Sequence, residues 1–146
     1  MIKKNHVLAE LGEQNYYTRI LGNNHVYYVD EPEEGGGQNK APHPTGYLLA
    51  ALASCTAITI RMYAQRKEWD IGEIKVSAEK VEREAAEGKT TKIVKKLSFG
   101  NKDLTEREIK RLITIGEKCP ISKLLKNEIH MESEVVDQLD ESILEE

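Results

Sequence analysis

Cysteine and unbalanced charge are both scarce in this chain, and each scarcity excludes a class of protein. The 146 residues hold only two cysteines, too few for the disulfide framework of a small secreted domain. In a reducing compartment such a pair bonds transiently, in catalysis or sensing. The 25 acidic residues outnumber the 21 basic ones, and the signs are mixed along the chain. Without a basic stripe, nucleic acid is not expected as a partner. No apolar run follows the first lysines, so the N-terminus does not read as a signal peptide. The most apolar stretch, Tyr47 to Ile60, is shorter than the roughly 18 to 20 residues of a membrane span. The expectation is a cytoplasmic protein with no membrane partner.

Phosphate-binding and zinc signatures are also missing. Gly35, Gly36 and Gly37 lie in a stretch from Glu31 to Pro44, but a phosphate loop needs G-x-x-x-x-G-K-[ST], and here Lys40 is followed by Ala41. A flexible connecting loop is the reading. Cys55, Cys119 and His43 lack the short C-x-x-C or H-x-x-x-H spacing of zinc ligands. Neither a metal nor a bound cofactor is expected, and His43 is read as a solvent-facing loop residue. Trp69 and Tyr63 are read as core or interface residues.

With hydrophobic residues at 39% and charged residues at 32%, the chain has the composition of one globular domain over residues 1–146. Its organising element is Pro44 to Arg66. From Tyr47 to Ile60 only Ser54, Thr56 and Thr59 are polar, so the helix is apolar all round and should be buried. Cys55 stands at its centre.

The flanking segments alternate with other periods. Val7 to Leu11 and Tyr16 to Asp30 are rich in aromatic and β-branched residues, with a turn at Gly22-Asn23-Asn24, and predict an antiparallel meander. Ile74, Val76 and Ala78 alternate with polar residues, and Ile93, Leu97 and Phe99 share a face. These predict a long hairpin around a polar turn at Glu84–Lys89. Thr105 and Glu108 form a capping box, opening a helix whose stripe is Ile109, Leu112, Ile113 and Gly116. Two helical turns beyond Leu112 bring Cys119 to the same face. Pro120 restarts the chain, and alternation through Ile129, Met131, Ser133 and Val135 predicts a last strand. On pattern alone, both cysteines are inward-facing, and a buried thiol ordinarily serves as a small hydrophobe.

The segment PTGYLLAALASCTAITIRMYAQRKEWDIGEIKV, preceded by DEPEEGGGQNKAPHP and followed by GEKCPISKLL, resembles the OsmC/Ohr family of osmotically inducible and organic hydroperoxide resistance proteins, in its OsmC-like branch. The likeness runs from about Tyr17 to about Val136, by the placing of these motifs. It implies an α+β fold with an N-terminal antiparallel sheet, a long buried central helix, a β-hairpin, a helix and a final strand, assembled as an intertwined homodimer. It also implies a thiol peroxidase for organic hydroperoxides in which Cys55 is peroxidatic and Cys119 resolving, with an external dithiol, such as a lipoyl group, as reductant.

In this family an Arg from the N-terminal strands activates the thiol. Arg19 is the only Arg before Cys55 and takes that role by resemblance. Arg61 is read as a cation near the helix end. The family's acid, nine or ten positions before the Cys, is replaced by Gly46 and Thr45, with Glu31, Glu33 and Glu34 as the nearby acids. That departure leaves a second reading: a non-catalytic OsmC-like module that binds a small hydrophobic ligand.

Overall fold

The computed structural model describes residues 5–139. They form two compact units: residues up to Tyr47 together with those from Met131, and Leu48–His130.

In the first unit β1 (Leu8–Leu11), β2 (Thr18–Gly22) and β3 (His25–Val29) make the expected antiparallel meander in the order β1-β2-β3. Gly22 pairs with His25, leaving Asn23 and Asn24 as the two turn residues, with φ of 49° and 61°. Two successive left-handed residues fit the right-handed twist of the paired strands, and Asn tolerates that conformation. The rings of Tyr17 and Tyr28 stack with centroids 5.1 Å apart.

The glycine-rich segment, expected to be a flexible loop, instead folds around Asp30. This side chain is 1% exposed. Its carboxylate accepts from the backbone N–H groups of Glu31 at 2.8 Å, Gln38 at 3.2 Å and Lys40 at 3.1 Å. Burial works against the charge, yet these three donors outweigh it and hold Asp30 below the usual carboxylate range. A single helical turn at Glu33–Gly35, ended by Gly36 at φ 88°, closes the loop.

The central helix α1 spans Pro44–Arg66, as the sequence predicts. The expectation that it is enclosed on every side needs correction. Leu52, Thr56, Ile60, Tyr63 and Ala64 form the one buried stripe, while Leu48, Ile58 and Met62 are 46%, 58% and 59% exposed. The full helix is also longer than its apolar centre. It is long and apolar enough to cross a membrane by length and composition, although its buried stripe packs against protein.

In the second unit β4 (Ile74–Ala85) and β5 (Gly88–Phe99) form the long hairpin. The expected six-residue turn contracts to Ala86 and Glu87, because Ala85 pairs with Gly88 and the strands run on through polar residues. The helix α2 (Glu106–Gly116) opens on the capping box, with both Thr105 and Glu108 side chains engaged. Leu112 and Gly116 are buried on it, whereas Ile109 and Ile113 are partly exposed, at 36% and 42%. Ile60, Tyr63, Ala64, Ile71 and Leu112 make the core, with Trp69, Ile74, Leu97 and Phe99 packed around it. A short helix α3 (Pro120–Lys126) follows.

The last strand is not formed. Residues 127–136 carry no regular structure, and Met131 and Val135 are almost fully exposed. A strand needs a partner for its backbone groups, and neither the three-stranded nor the two-stranded sheet pairs with this segment.

Candidate active site

Cys119 is fully buried, but not for the reason its spacing suggests. The helix α2 ends at Gly116, and Cys119 is the N-cap of α3, with Pro120 at the first helical position. Proline suits that position because its missing N–H would have had no partner. The cap turns the Cys119 side chain back over its own helix start, where Sγ accepts from the backbone N–H of Ser122 at 3.3 Å. A hydroxyl lies on each side: Ser122 Oγ at 3.0 Å and Thr56 Oγ1 at 3.6 Å from Sγ.

Thr56 reaches this position because α1 and α2 approach closely at Gly116. A Cβ there would stand 2.9 Å from Ile60 Cδ1 and 3.1 Å from Thr56 Cγ2. The glycine therefore permits the contact that sets α1 against Cys119.

Cys55, next to Thr56 on α1, is half-buried. Both thiols are free. Burial alone would push the Cys119 thiol up. The Ser122 hydroxyl and backbone N–H, the Thr56 hydroxyl and the Cys55 side chain together outweigh it, so the thiol lies below its ordinary value of 9.0. The fold thus brings Cys55 and Cys119 together, and the thiol that carries the stabilising hydrogen bonds is the covered one.

Both hydroxyls lead to one cation. Lys95, on β5, donates to Thr56 Oγ1 at 3.3 Å and to Ser122 Oγ at 3.2 Å, and its third partner is Glu117 Oε1 at 3.1 Å. An ammonium has three donors, and all three are used. The side chain of Lys95 is 10% exposed. Glu117 in turn holds Lys126 at 2.9 Å through its other oxygen. The hydrogen bond from Lys126 is the main reason that the Glu117 carboxyl lies below its ordinary 4.5; burial opposes it, and Lys95 adds to it.

The other candidate residues have different settings. Arg19, on β2, bonds Glu10 of β1 at 2.8 Å, and both side chains are nearly half exposed. Arg61 donates to the carbonyl of Gly72 at 2.5 Å and anchors the chain after α1, in keeping with its reading as a helix-end cation. His43 is exposed, but it also closes the start of α1: its Nδ1 accepts the Gly46 N–H at 3.1 Å and its carbonyl accepts the Tyr47 N–H at 3.2 Å. A Cβ on Gly46 would lie 2.8 Å from that Nδ1. Gly46, one of the two positions where the resemblance places an acid, is thus close-packed against the His43 cap.

Sequence reasoning passed over Lys95, Thr56, Ser122 and Glu117 as site residues. One signal was present. Ile93, Lys95, Leu97 and Phe99 share one strand face by period two, so Lys95 is a charge at an inward position of an apolar row.

The sequence profile of the OsmC family, described as OsmC-like protein, matches residues 37–134, which include both cysteines and Lys95. The chain belongs to the OsmC family. No curated protein sequence matches it. Among solved structures, its OsmC fold is similar to that of a Psychrobacter arcticus protein described as an osmotic stress induced and detoxification response protein. Identity is 24%, the TM-score 0.66, and 89% of each chain is covered. An OsmC-like protein from Mycoplasma pneumoniae gives 22% identity and a TM-score of 0.66, covering 86% of this chain and 89% of that one. The organic hydroperoxide resistance protein OsmC from Legionella pneumophila gives 20% identity and a TM-score of 0.65, covering 86% and 91%. At these identities the likeness is one of fold, and this OsmC-like chain shares it along most of its length.

Proposed function

We propose that this chain is a thiol peroxidase that reduces organic hydroperoxides. The observation that carries the reading is the pairing of a half-buried Cys55 with a fully covered, hydroxyl-bonded Cys119. The Cys55 thiolate attacks the distal oxygen of the peroxide, the O–O bond breaks, and the alkoxide leaves as an alcohol after taking a proton. Cys55 becomes a sulfenic acid. The Cys119 thiolate then attacks Cys55 Sγ, hydroxide leaves as water, and a disulfide forms. An external dithiol, such as a lipoyl group, returns the pair to thiols and becomes a disulfide itself.

Bonding requires the two Cα atoms to come within about 4.4–6.8 Å. In this reading Arg19 is the cation that supports the Cys55 thiolate, and two copies intertwine as a homodimer. The exposed Leu48, Ile58 and Met62 of α1, and Met131 and Val135 beyond it, favour a second copy because they offer apolar surface that the chain does not cover itself. Free thiols and an external dithiol suit the cytoplasm.

Rapid mixing of reduced protein with cumene hydroperoxide, followed by quenching and thiol titration, tests the proposal. Loss of both thiols far faster than free cysteine reacts is expected. Thiols that persist at the rate of free cysteine would exclude the enzyme and leave the hydrophobic-ligand module, which Gly46 in the acid position favours.

A further inference from the structure

The Lys95 ammonium is bound to both hydroxyls that flank one sulfur, and neither the thiol pair nor the helix start accounts for a nearly buried cation at that place. We propose that Lys95 is a positioning residue, acting through Ser122 to hold Cys119 Sγ as the thiolate that leaves when the Cys55–Cys119 disulfide is reduced. This rests on the reading of the two cysteines as a redox pair.

The donors around the sulfur suit a thiolate. Ser122 Oγ has two partners, Lys95 Nζ at 3.2 Å and Cys119 Sγ at 3.0 Å. Lys95 can only donate, so it occupies an acceptor site of the oxygen and leaves the hydroxyl hydrogen to find another acceptor. With Cys119 as a thiolate, the hydroxyl and the Ser122 N–H, at 3.3 Å, both donate to sulfur and nothing is left unmet. Thr56 Oγ1 also accepts from Lys95, at 3.3 Å, and gives its own hydrogen to the Leu52 carbonyl at 2.9 Å, so it anchors the ammonium beside the sulfur without donating to it. Glu117, at 3.1 Å, takes the third ammonium hydrogen and balances the charge without touching sulfur.

Burial assigns the direction of the exchange. Cys119 is fully covered and Cys55 is not, so a dithiol reaches Cys55. Its thiolate attacks Cys55 Sγ, the Cys55–Cys119 bond breaks, and the electron pair leaves on Cys119 Sγ, where the Ser122 hydroxyl and N–H receive it. A mixed disulfide joins Cys55 to the reductant. The second thiol of the reductant, once deprotonated, attacks the reductant sulfur of that bond. Cys55 leaves and takes up a proton, and the reductant departs as a disulfide. A leaving sulfur of lower pKa leaves faster.

The test needs no peroxide. In Cys55→Ser protein Cys119 is the only thiol, and its ultraviolet thiolate absorbance is followed against pH. Lys95→Met in that background is expected to raise the midpoint by about one pH unit, a tenfold loss of thiolate below it. Ser122→Ala, which keeps Lys95, is expected to move it the same way, and it carries the test if Lys95→Met does not fold. An unmoved midpoint in a folded variant overturns the proposal. Because the titration is independent of turnover, the role of Lys95 is decided even in a chain that reduces no hydroperoxide. In protein with both cysteines, stopped-flow reduction of the disulfide by dihydrolipoamide is expected to slow about threefold in Lys95→Met, because the rate follows only a fraction of the change in thiol pKa.

Discussion

Thr56 Oγ1 lies 3.6 Å from Cys119 Sγ and 3.3 Å from Lys95 Nζ, while the same hydroxyl bonds the Leu52 carbonyl at 2.9 Å. One side chain on the central helix therefore joins a buried cation to a buried sulfur. Thr56→Val keeps the shape and removes these bonds, leaving one ammonium donor of Lys95 unmet. It is expected to cost about 1–3 kcal/mol, measured by urea unfolding, and to slow closure of the disulfide.

Gly116 is where the two helices come closest. Gly116→Ala brings a methyl group to 2.9 Å from Ile60 Cδ1 and 3.1 Å from Thr56 Cγ2, and the helices have to part. The expected loss is about 1–3 kcal/mol, with slower disulfide formation after peroxide because Cys119 follows the displaced helix. Unchanged unfolding and unchanged kinetics would show that the contact is dispensable.

The acid limb of stability has a defined sign at Glu117. Its folded carboxyl lies below the ordinary 4.5, so its contribution is complete above that value and is lost as pH falls through the folded pKa. Glu117→Gln is expected to flatten the fall of the urea midpoint below pH 4.5. A limb that keeps its slope in the variant would assign it to other carboxyls, with Asp30, also lowered, the first to examine.

Putting the family's acid back at Gly46 is expected to fail. Gly46→Glu drives the His43 ring from its bond to the helix start, and losing a helix cap costs about 1 kcal/mol. Thermal unfolding should fall accordingly, with no gain in the rate of thiol loss with cumene hydroperoxide. A faster rate would mean that this helix start accommodates the acid after all.

Cys119→Ser removes the resolving sulfur while the half-buried Cys55 remains. Peroxide should then leave Cys55 as a sulfenic acid that dimedone labels. Absence of the adduct would remove Cys55 from the chemistry.

The parts of the fold legible in the sequence are those governed by local rules. The bounds of α1, the Asn23-Asn24 turn and the Thr105–Glu108 cap follow from composition, φ preference and side-chain reach within a few residues. The site was legible in its sulfurs and illegible in its polar frame. Thr56, Lys95 and Ser122 come from a helix, a strand and a helix cap, and no local pattern records that they converge. Cys119 was expected inward through helical phase, but it is buried because it caps α3. The segment from Ile129 to Val135 has strand alternation without a strand, since alternation supplies a face and cannot supply a partner.

The pairing of Ala78 with Lys95 gives the hairpin a means of checking its own alignment. A slip of one residue turns every side chain to the opposite face. Lys95 would then point to solvent, and Val94 or Lys96 would face Thr56, Ser122 and Glu117 in its place. The slip that brings Val94 inward leaves Thr56, Ser122 and Glu117 without their cation, a cost beyond that of the misplaced apolar row. Lys95 thus proofreads the register of β4 and β5, and Lys95→Met should show faster amide hydrogen exchange along both strands.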